Sequence, residues 1–127
     1  MASPDDRKYQ SSHEWHKPED DGTVTIGISA FAVEELTDIT FVEIEVEPGD
    51  ELDAGEVFGE IESVKATSEL YCGISGEVVA VNDQLDDTPE TVNDDPWDAG
   101  WMIRVKPADE GALDGLMDAS AYDEQAT

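Results

Sequence analysis

The chain has 127 residues, with 33 acidic side chains against six lysines and arginines, and its formal net charge at pH 7 is −27. A chain of this length forms one domain with one core, and so acidic a protein excludes nucleic acid and anionic membranes as partners, because both attract basic surfaces. We find no apolar run of membrane-spanning length and no signal segment, and the lone Cys72 excludes an intrachain disulfide, so we expect a cytoplasmic protein.

The acidic residues are interleaved with Val, Ile, Phe and Trp rather than gathered into long blocks, which predicts a folded chain. At about 1 M salt the screening length falls to about 3 Å, so repulsion among these charges is largely quenched while their benefit to solubility remains. We therefore expect the protein to come from a halophile that accumulates salt in its cytoplasm.

The first half of the chain is predicted to form strands around a short helix. Residues 23–28 alternate between apolar and small side chains, which is typical of a strand with one buried face. Ser29 is placed to cap a short helix that reaches Leu36. Residues 39–46 form the next predicted strand, with its valines and isoleucine facing in and its glutamates facing solvent. A Pro-Gly-Asp turn at residues 48–50 ends it.

An alternating run at residues 57–62 and a second apolar run from Leu70 predict a β-hairpin with Lys65 at or near its tip. The chain has only four lysines, so one that lies between two small apolar residues on a turn is a candidate for a chemical role. A lysine at an exposed tip is open to a modifying enzyme, and acylation removes its charge and adds a long arm. The alternative is an ordinary solvated lysine.

Beyond the hairpin, residues 76–81 form a further predicted strand and residues 84–93 a polar connection with one helical turn. Residues 101–106 form the last predicted strand, with the odd-numbered residues facing in and Pro107 stopping it. From Asp109 onward the apolar spacing becomes helical.

The segments on either side of the hairpin echo one another, each being strand, turn and strand, which predicts a flattened barrel or sandwich with approximate twofold symmetry. The fold class is therefore mainly β, with short flanking and C-terminal helices. We expect a single domain over residues 1–127, with its core at about 8–106 and a helical segment at 108–126.

A catalytic constellation is absent from the sequence. There is no nucleophile elbow, no phosphate-binding glycine loop, no Cys-x-x-Cys and no dinucleotide fingerprint. His13 and His16 lack the i, i+4 spacing that places two imidazoles on one helical face, and no cysteine cluster completes a metal site, so we expect no metal. The sequence therefore predicts a protein that is not an enzyme. Its distinctive feature is a lysine displayed on a small rigid scaffold, which is how a carrier of a covalently attached group would be built.

The run Glu62-Ser63-Val64-Lys65-Ala66 resembles the lipoyl-attachment motif of the glycine cleavage system H protein family. The resemblance extends over Tyr9 to Lys106 through an ordered series of further motifs: Ser12-His13-Glu14-Trp15, Gly27-Ile28-Ser29, Gly76-Glu77-Val78 and Gly100-Trp101-Met102. It implies a lipoyl-type barrel-sandwich hybrid of two antiparallel sheets, with lipoate joined through an amide to Lys65. Glu62, Ser63, Val64 and Ala66 would then form the motif that the attaching enzyme recognises.

The resemblance also implies a shuttle function. A pyridoxal-phosphate glycine decarboxylase would load an aminomethyl group onto lipoate, a tetrahydrofolate-dependent aminomethyltransferase would receive it, and dihydrolipoyl dehydrogenase would reoxidise the carrier. We expect a monomer that meets these partners and a lipoate-attaching enzyme. A cleft that protects the loaded arm needs hydrogen-bond acceptors for a cationic amine, and we expect Ser12, Glu14 and Glu69 to line it.

Four residues depart from the family pattern: Thr37 replaces a usual glycine, Cys72 and Gly73 a frequent Ser-Pro, and Glu69 a common aspartate. Residues 45–49 also form a segment one residue longer than is common. Three alternatives also stay open. They are a lipoyl or biotinyl domain of another multienzyme complex, an H-like protein that relays lipoate to other enzymes, and an unmodified interaction module. The first of these lacks the long flanks that contain Trp15 and Trp101.

Overall fold

The computed structural model describes residues 4–109 and 111–126, and within them the chain forms two antiparallel sheets. The strands are β1 (Lys8–Tyr9), β2 (Glu14–Pro18), β3 (Val24–Ile28), β4 (Ile39–Ile44), β5 (Glu51–Leu52), β6 (Val57–Ser63), β7 (Thr67–Tyr71), β8 (Gly76–Val81) and β9 (Ile103–Pro107). One sheet has six strands in the order β1-β2-β3-β9-β8-β5, and the other has three in the order β4-β6-β7. The mainly β, two-sheet prediction is confirmed.

Within the described residues, four short α-helices accompany the sheets: α1 (Ala30–Leu36), α2 (Gln84–Asp87), α3 (Thr91–Asp94) and α4 (Ala119–Ala126). A 3-10 helix at Ala112–Gly115 precedes α4. The predicted cap of α1 is confirmed, because Ser29 Oγ accepts a hydrogen bond from the backbone N–H of Ala32 at 3.2 Å.

The main core lies between the two sheets, where Ile26 and Ile103 of the larger sheet and Phe58 of the smaller one are fully buried. Leu85 of α2 and Val92 of α3 are also fully buried and join the same cluster. The short helices between β8 and β9 therefore contribute one apolar side chain each to a core that the strands define.

A second, smaller cluster joins the C-terminal helix to the N-terminal strands. It contains the fully buried Tyr9 and Tyr122, whose rings stack with centroids 4.7 Å apart, and Trp15, which is 1% exposed. The guanidinium of Arg7 lies 4.6 Å from the Trp15 ring centroid and donates to the carbonyl of Trp97 at 2.8 Å. This cluster holds both ends of the described chain beside β2.

Two glycines allow backbones to approach closely. A Cβ on Gly59 would lie 2.4 Å from the carbonyl oxygen of Glu43, and one on Gly76 would lie 2.3 Å from that of Lys106. Since side-chain atoms do not approach that near to a carbonyl oxygen, an alanine at either position would displace a neighbouring strand.

The strand predictions hold in the centre of the chain and fail in detail at the ends of strands. The hairpin around Lys65 and the strand at residues 76–81 are confirmed, and the strand predicted at residues 39–46 ends two residues early, at Ile44. The predicted alternation is wrong at Met102, which is fully buried. Met102 precedes β9, and its N–H donates to the Ile26 carbonyl at 2.8 Å. β9 ends at Pro107, as predicted, with the proline as its last residue.

Thr37, which stands where the family usually has glycine, has φ 64°, a left-handed value that strains a β-branched residue. The side chain of Asn93 fixes this loop from α3: its Nδ2 donates to the Thr37 carbonyl at 2.7 Å and its Oδ1 accepts from the Ile39 N–H at 2.8 Å. The loop leads from α1 into β4, so Asn93 helps to set the position of α1.

Candidate functional site

The lysine lies on a tight turn that a serine holds. Ser63 Oγ accepts from the N–H groups of Lys65 at 3.1 Å and Ala66 at 3.0 Å, and it donates to the Ala66 carbonyl at 3.1 Å. The Val64 N–H donates to the Asp38 carbonyl at 3.1 Å, which ties the turn to the start of β4. These bonds therefore fix the backbone of the turn, and they do not restrain the side chain of Lys65.

Exposure divides the five residues of the motif. Lys65 and Ala66 are exposed, and Val64 is 69% exposed, which is unusual for an apolar side chain. Glu62 and Ser63 are half-buried at the end of β6, and Glu62 pairs across the hairpin with Thr67. The turn thus presents an amine and an aliphatic side chain together to solvent.

A cleft of about 130 Å³ lies beside the hairpin and brings together the three residues predicted to line it, Ser12, Glu14 and Glu69. The loop before β2, the helix α1 and the strand β7 form its walls. The remaining lining residues come from the same elements and their neighbours: His13, Ile28, Ala32, Glu35, Leu36, Ile61, Ser68 and Leu70.

Glu14 lies in this cleft almost fully buried, with 1% of its surface exposed. Its Oε2 accepts from the Tyr71 N–H at 3.0 Å, and its Oε1 accepts from Gln10 Nε2 at 3.2 Å and from the Ser12 hydroxyl. Burial raises the pKa of Glu14 to about 7, against hydrogen bonds from Ser12 and Tyr71 that lower it. A cation in the cleft would favour the ionised carboxylate.

Glu69, in contrast, is exposed and stands at the end of a row of three glutamates. Glu43 pairs with Glu60 across β4 and β6, and Glu60 pairs with Glu69 across β6 and β7. Like charges directly opposite one another are unfavourable in a sheet, and here they give the smaller sheet a strongly negative side next to the cleft.

Sequence reasoning missed the contribution of α1 to the cleft. Ala32, Glu35 and Leu36 are spaced i, i+3, i+4 and so lie on one face of the helix, a signal that the sequence does contain. It also missed His13 as a lining residue, although His13 lies between two of the predicted ones.

The two histidines considered as metal ligands are engaged separately. His13 Nδ1 lies 2.7 Å from the Tyr122 hydroxyl, whereas the fully buried His16 accepts from the Gly73 N–H at 3.0 Å through Nε2. The family frequently has a proline at the position of Gly73. Proline has no N–H to donate, so the bond from Gly73 to His16 depends on the glycine that this chain has there. In the part of the chain that the structure describes, no group of His, Cys, Asp or Glu residues is placed to hold a metal ion.

Among the described residues, no helix is both long and apolar enough to span a membrane. Fold and site together define a class of protein: a small barrel-sandwich hybrid that displays one lysine on a fixed hairpin turn next to a narrow, acidic cleft.

Comparison with known proteins identifies the family. Residues 7–127 match the family model described as glycine cleavage H-protein, and the chain belongs to this family. Its members are non-catalytic carrier components of the glycine cleavage system, and the family carries lipoate.

Individual relatives match along nearly their whole length. The glycine cleavage system H protein of Chromohalobacter salexigens is 57% identical over 120 residues, which cover 94% of this chain and 91% of the relative. That of Bacillus pumilus is 52% identical over 124 residues, covering 98% and 96%. The crystal structure of a glycine cleavage system H protein from Mycobacterium marinum superposes with a TM-score of 0.86 at 41% identity, covering 97% of this chain and 98% of that one.

Proposed function

We propose that lipoate is joined through an amide to Nζ of Lys65, and that the chain carries the aminomethyl group of glycine from the decarboxylase to the aminomethyltransferase. Lipoate supplies a redox-active pair of sulfurs that can hold this group. The observation that carries the proposal is the exposed Lys65, which stands within the family's lipoylation motif on a fixed turn beside a cleft.

The residues around Lys65 fit such an attachment. Ser63 holds the backbone of the turn, so an attaching enzyme meets the backbone around the lysine in one conformation. Val64 and Ala66 are exposed on either side of it, and Glu62 ends the strand that leads to it. We propose that these four neighbours are what the lipoate-attaching enzyme recognises.

The cleft fits a cationic amine. Glu14 offers a carboxylate that is almost fully buried, the Ser12 hydroxyl lies against it, and Glu69 adds negative charge at the rim. An ion pair with a buried carboxylate is strong because little water competes for either partner. We propose that this pairing holds the aminomethyl amine and that the apolar walls, such as Leu36 and Leu70, exclude the water that would hydrolyse it.

We further propose that the protein works as a monomer in the cytoplasm of a salt-accumulating halophile and that dihydrolipoyl dehydrogenase reoxidises it there. The net charge supports the proposed high-salt environment. The chain has 33 carboxylates and only six lysines and arginines, so most of the carboxylates have no cationic side chain of the protein to pair with. Solution cations would have to screen them.

Intact-mass measurement of protein from its native host, followed by peptide mapping across residue 65, tests the central proposal. We expect one adduct of lipoyl mass, located on Lys65 and absent from a Lys65→Arg variant. Lys106→Arg makes the same substitution at a different lysine, in β9, and should keep the adduct. An unmodified Lys65 from lipoate-replete cells would contradict the proposal and favour an unmodified interaction module.

A further inference from the structure

The hydroxyl of Tyr122, in the C-terminal helix α4, joins two walls of the cleft without lining it. The residue is fully buried, and its Oη lies 2.7 Å from Nδ1 of His13 and 2.5 Å from Oγ of Ser29. His13 lines the cleft, and Ser29 caps α1, whose inner face lines it as well. One phenol therefore contacts the loop before β2 and the start of α1 at the same time.

The direction of these hydrogen bonds follows from the donors available. Ser29 Oγ accepts from the Ala32 N–H, and the residue is fully buried. The proton of a buried hydroxyl needs an acceptor. In the described structure, the remaining contact of this hydroxyl is Tyr122 Oη, so Tyr122 Oη accepts the serine proton. Tyr122 then donates its own proton to His13 Nδ1. The chain runs from Ala32 N–H through Ser29 and Tyr122 to His13.

The ionisation states agree with this direction. Burial raises the pKa of Tyr122, so its hydroxyl keeps the proton that it donates. Burial also lowers the pKa of His13, against a smaller opposing effect of Glu35, so the imidazole is neutral near pH 7. A neutral imidazole that accepts at Nδ1 carries its proton on Nε2.

His13 lies between Ser12 and Glu14 and has φ 83°, in the left-handed region that few residues adopt without support. Its ring packs against Phe31 of α1, with centroids 5.0 Å apart. The backbone geometry that aims Ser12 and Glu14 at the cleft thus depends on how the side chain between them is held.

We infer that Tyr122 is a positioning residue of the cleft: its hydroxyl fixes His13 as the Nε2–H tautomer and locks the loop that carries Ser12 and Glu14 to the start of α1. The effect on the carried group rests on the proposed function, whereas the tautomer does not. The C-terminal helix then contributes to protection of the arm through a single hydrogen-bonded atom.

Tyr122→Phe tests this inference, with Tyr9→Phe as a matched control. Both rings are fully buried and stack on each other, and each hydroxyl is hydrogen-bonded, but that of Tyr9 donates to the Pro4 carbonyl at 2.5 Å instead of to the cleft walls. Each variant removes one oxygen and keeps the ring.

Two readouts are needed. The ¹⁵N chemical shifts of His13, measured on unmodified protein, should show the Nε2–H tautomer in the wild type and in Tyr9→Phe, and a mixture of tautomers in Tyr122→Phe. In lipoylated protein loaded with a ¹³C-labelled aminomethyl group, Tyr122→Phe should lose the label about fivefold faster, the factor expected for one lost hydrogen bond, and Tyr9→Phe at the wild-type rate.

A wild-type His13 that carries its proton on Nδ1 would overturn the inference without any variant. An unchanged tautomer and label lifetime in Tyr122→Phe would do the same, and so would equal acceleration in both variants, which would indicate general loosening of the stacked tyrosines. Failure of the proposed function has a different signature, namely an unmodified Lys65, and leaves the tautomer measurement intact.

Discussion

Glu14 meets two requirements that rarely occur in one carboxylate: it is almost fully buried, and it borders a cleft that a ligand can enter. With a pKa of about 7, it is close to half-protonated at neutral pH. A cationic amine in the cleft would complete its ionisation, so loading of the arm should release a fraction of a proton from the protein. The residue therefore gains about half of its charge when the amine enters the cleft.

Glu14→Gln keeps the size of this side chain and removes its charge. We expect the loaded aminomethyl group to be lost at least about tenfold faster, because an ion pair becomes a neutral hydrogen bond, while attachment of lipoate to Lys65 is unchanged. The measurement is the rate of label loss from the loaded protein. Glu51→Gln, the same change at an exposed position in β5, should have no effect, and an unchanged lifetime in Glu14→Gln would remove Glu14 from the site.

At the residue scale, local motifs located Lys65, Ser12 and Glu14, because each belongs to a short run that resembles the family pattern. Tyr122 could not be found in this way. It is 109 residues from His13 along the chain, and only the docking of α4 brings the two together. A hydrogen bond between distant elements leaves no periodic signal in the sequence.

At the scale of the element, β2 carries two buried titratable side chains whose pKa values move in opposite directions. Burial raises the pKa of Glu14 from its usual 4.5 to about 7 and lowers that of His16 from 6.5 to about 3. The Glu14 contribution to stability is full below pH 4.5 and is lost as the pH rises through 7. The His16 contribution is full above pH 6.5 and is lost as the pH falls toward 3.

Between about pH 4.5 and 6.5, the pH dependences of the two contributions should cancel. In this range the folded state binds one proton more on Glu14 and one fewer on His16 than the unfolded chain does, so the free energy of unfolding should not change with pH. We expect Glu14→Gln to expose the His16 contribution alone, so that the stability of this variant relative to wild type rises by about 2–3 kcal/mol from pH 4.5 to 6.5.

Urea unfolding across this pH range, at a fixed high salt concentration, measures the effect. Glu51→Gln is again the control and should run parallel to the wild type at every pH. If the unfolding free energy of Glu14→Gln ran parallel to that of the wild type across this pH range, folding would not change proton binding at Glu14 and His16 in opposite directions.

Strands were predictable where apolar residues alternate with small or polar ones, as in β3, although the structure buries all five residues of β3 and so covers both of its faces. The prediction failed at Met102, where the chain lies outside the β9 ladder and its side chain enters the core from an irregular segment. The lengths of the short helices α2 and α3 were not predictable either, since each contributes a single buried residue and has no periodicity to read.

For the molecule as a whole, the net charge of −27 dominates the electrostatics. The row of paired glutamates across the smaller sheet is one place where repulsion between these charges destabilises the fold. Sequence composition alone revealed this charge. It could not reveal that Glu43, Glu60 and Glu69 stand in register, because register depends on pairing between strands.

We expect the melting temperature to rise steeply as KCl increases from low concentration to about 1 M, since the Debye length shortens from about 30 Å at 10 mM to about 3 Å. Thermal melts across a KCl series measure this. The double variant Glu43→Gln/Glu60→Gln relieves two of the opposed charges, so it should melt higher than wild type at low salt and show a shallower dependence on KCl. Equal or greater stability of the wild type without salt would rule out adaptation to a salty cytoplasm.

The fixed turn also determines how tightly the cleft has to bind. Lys65 lies only three to five residues from the cleft residues Ser68, Glu69 and Leu70, so the carried amine is confined near the cleft at an effective concentration of about millimolar, as for other short flexible tethers. A cleft with an affinity of about 10 μM for the free amine would therefore be occupied about 99% of the time, which the expected five- to tenfold losses of protection require. Much tighter binding would slow delivery, so we expect a site of only moderate affinity, whose high occupancy comes from the tether.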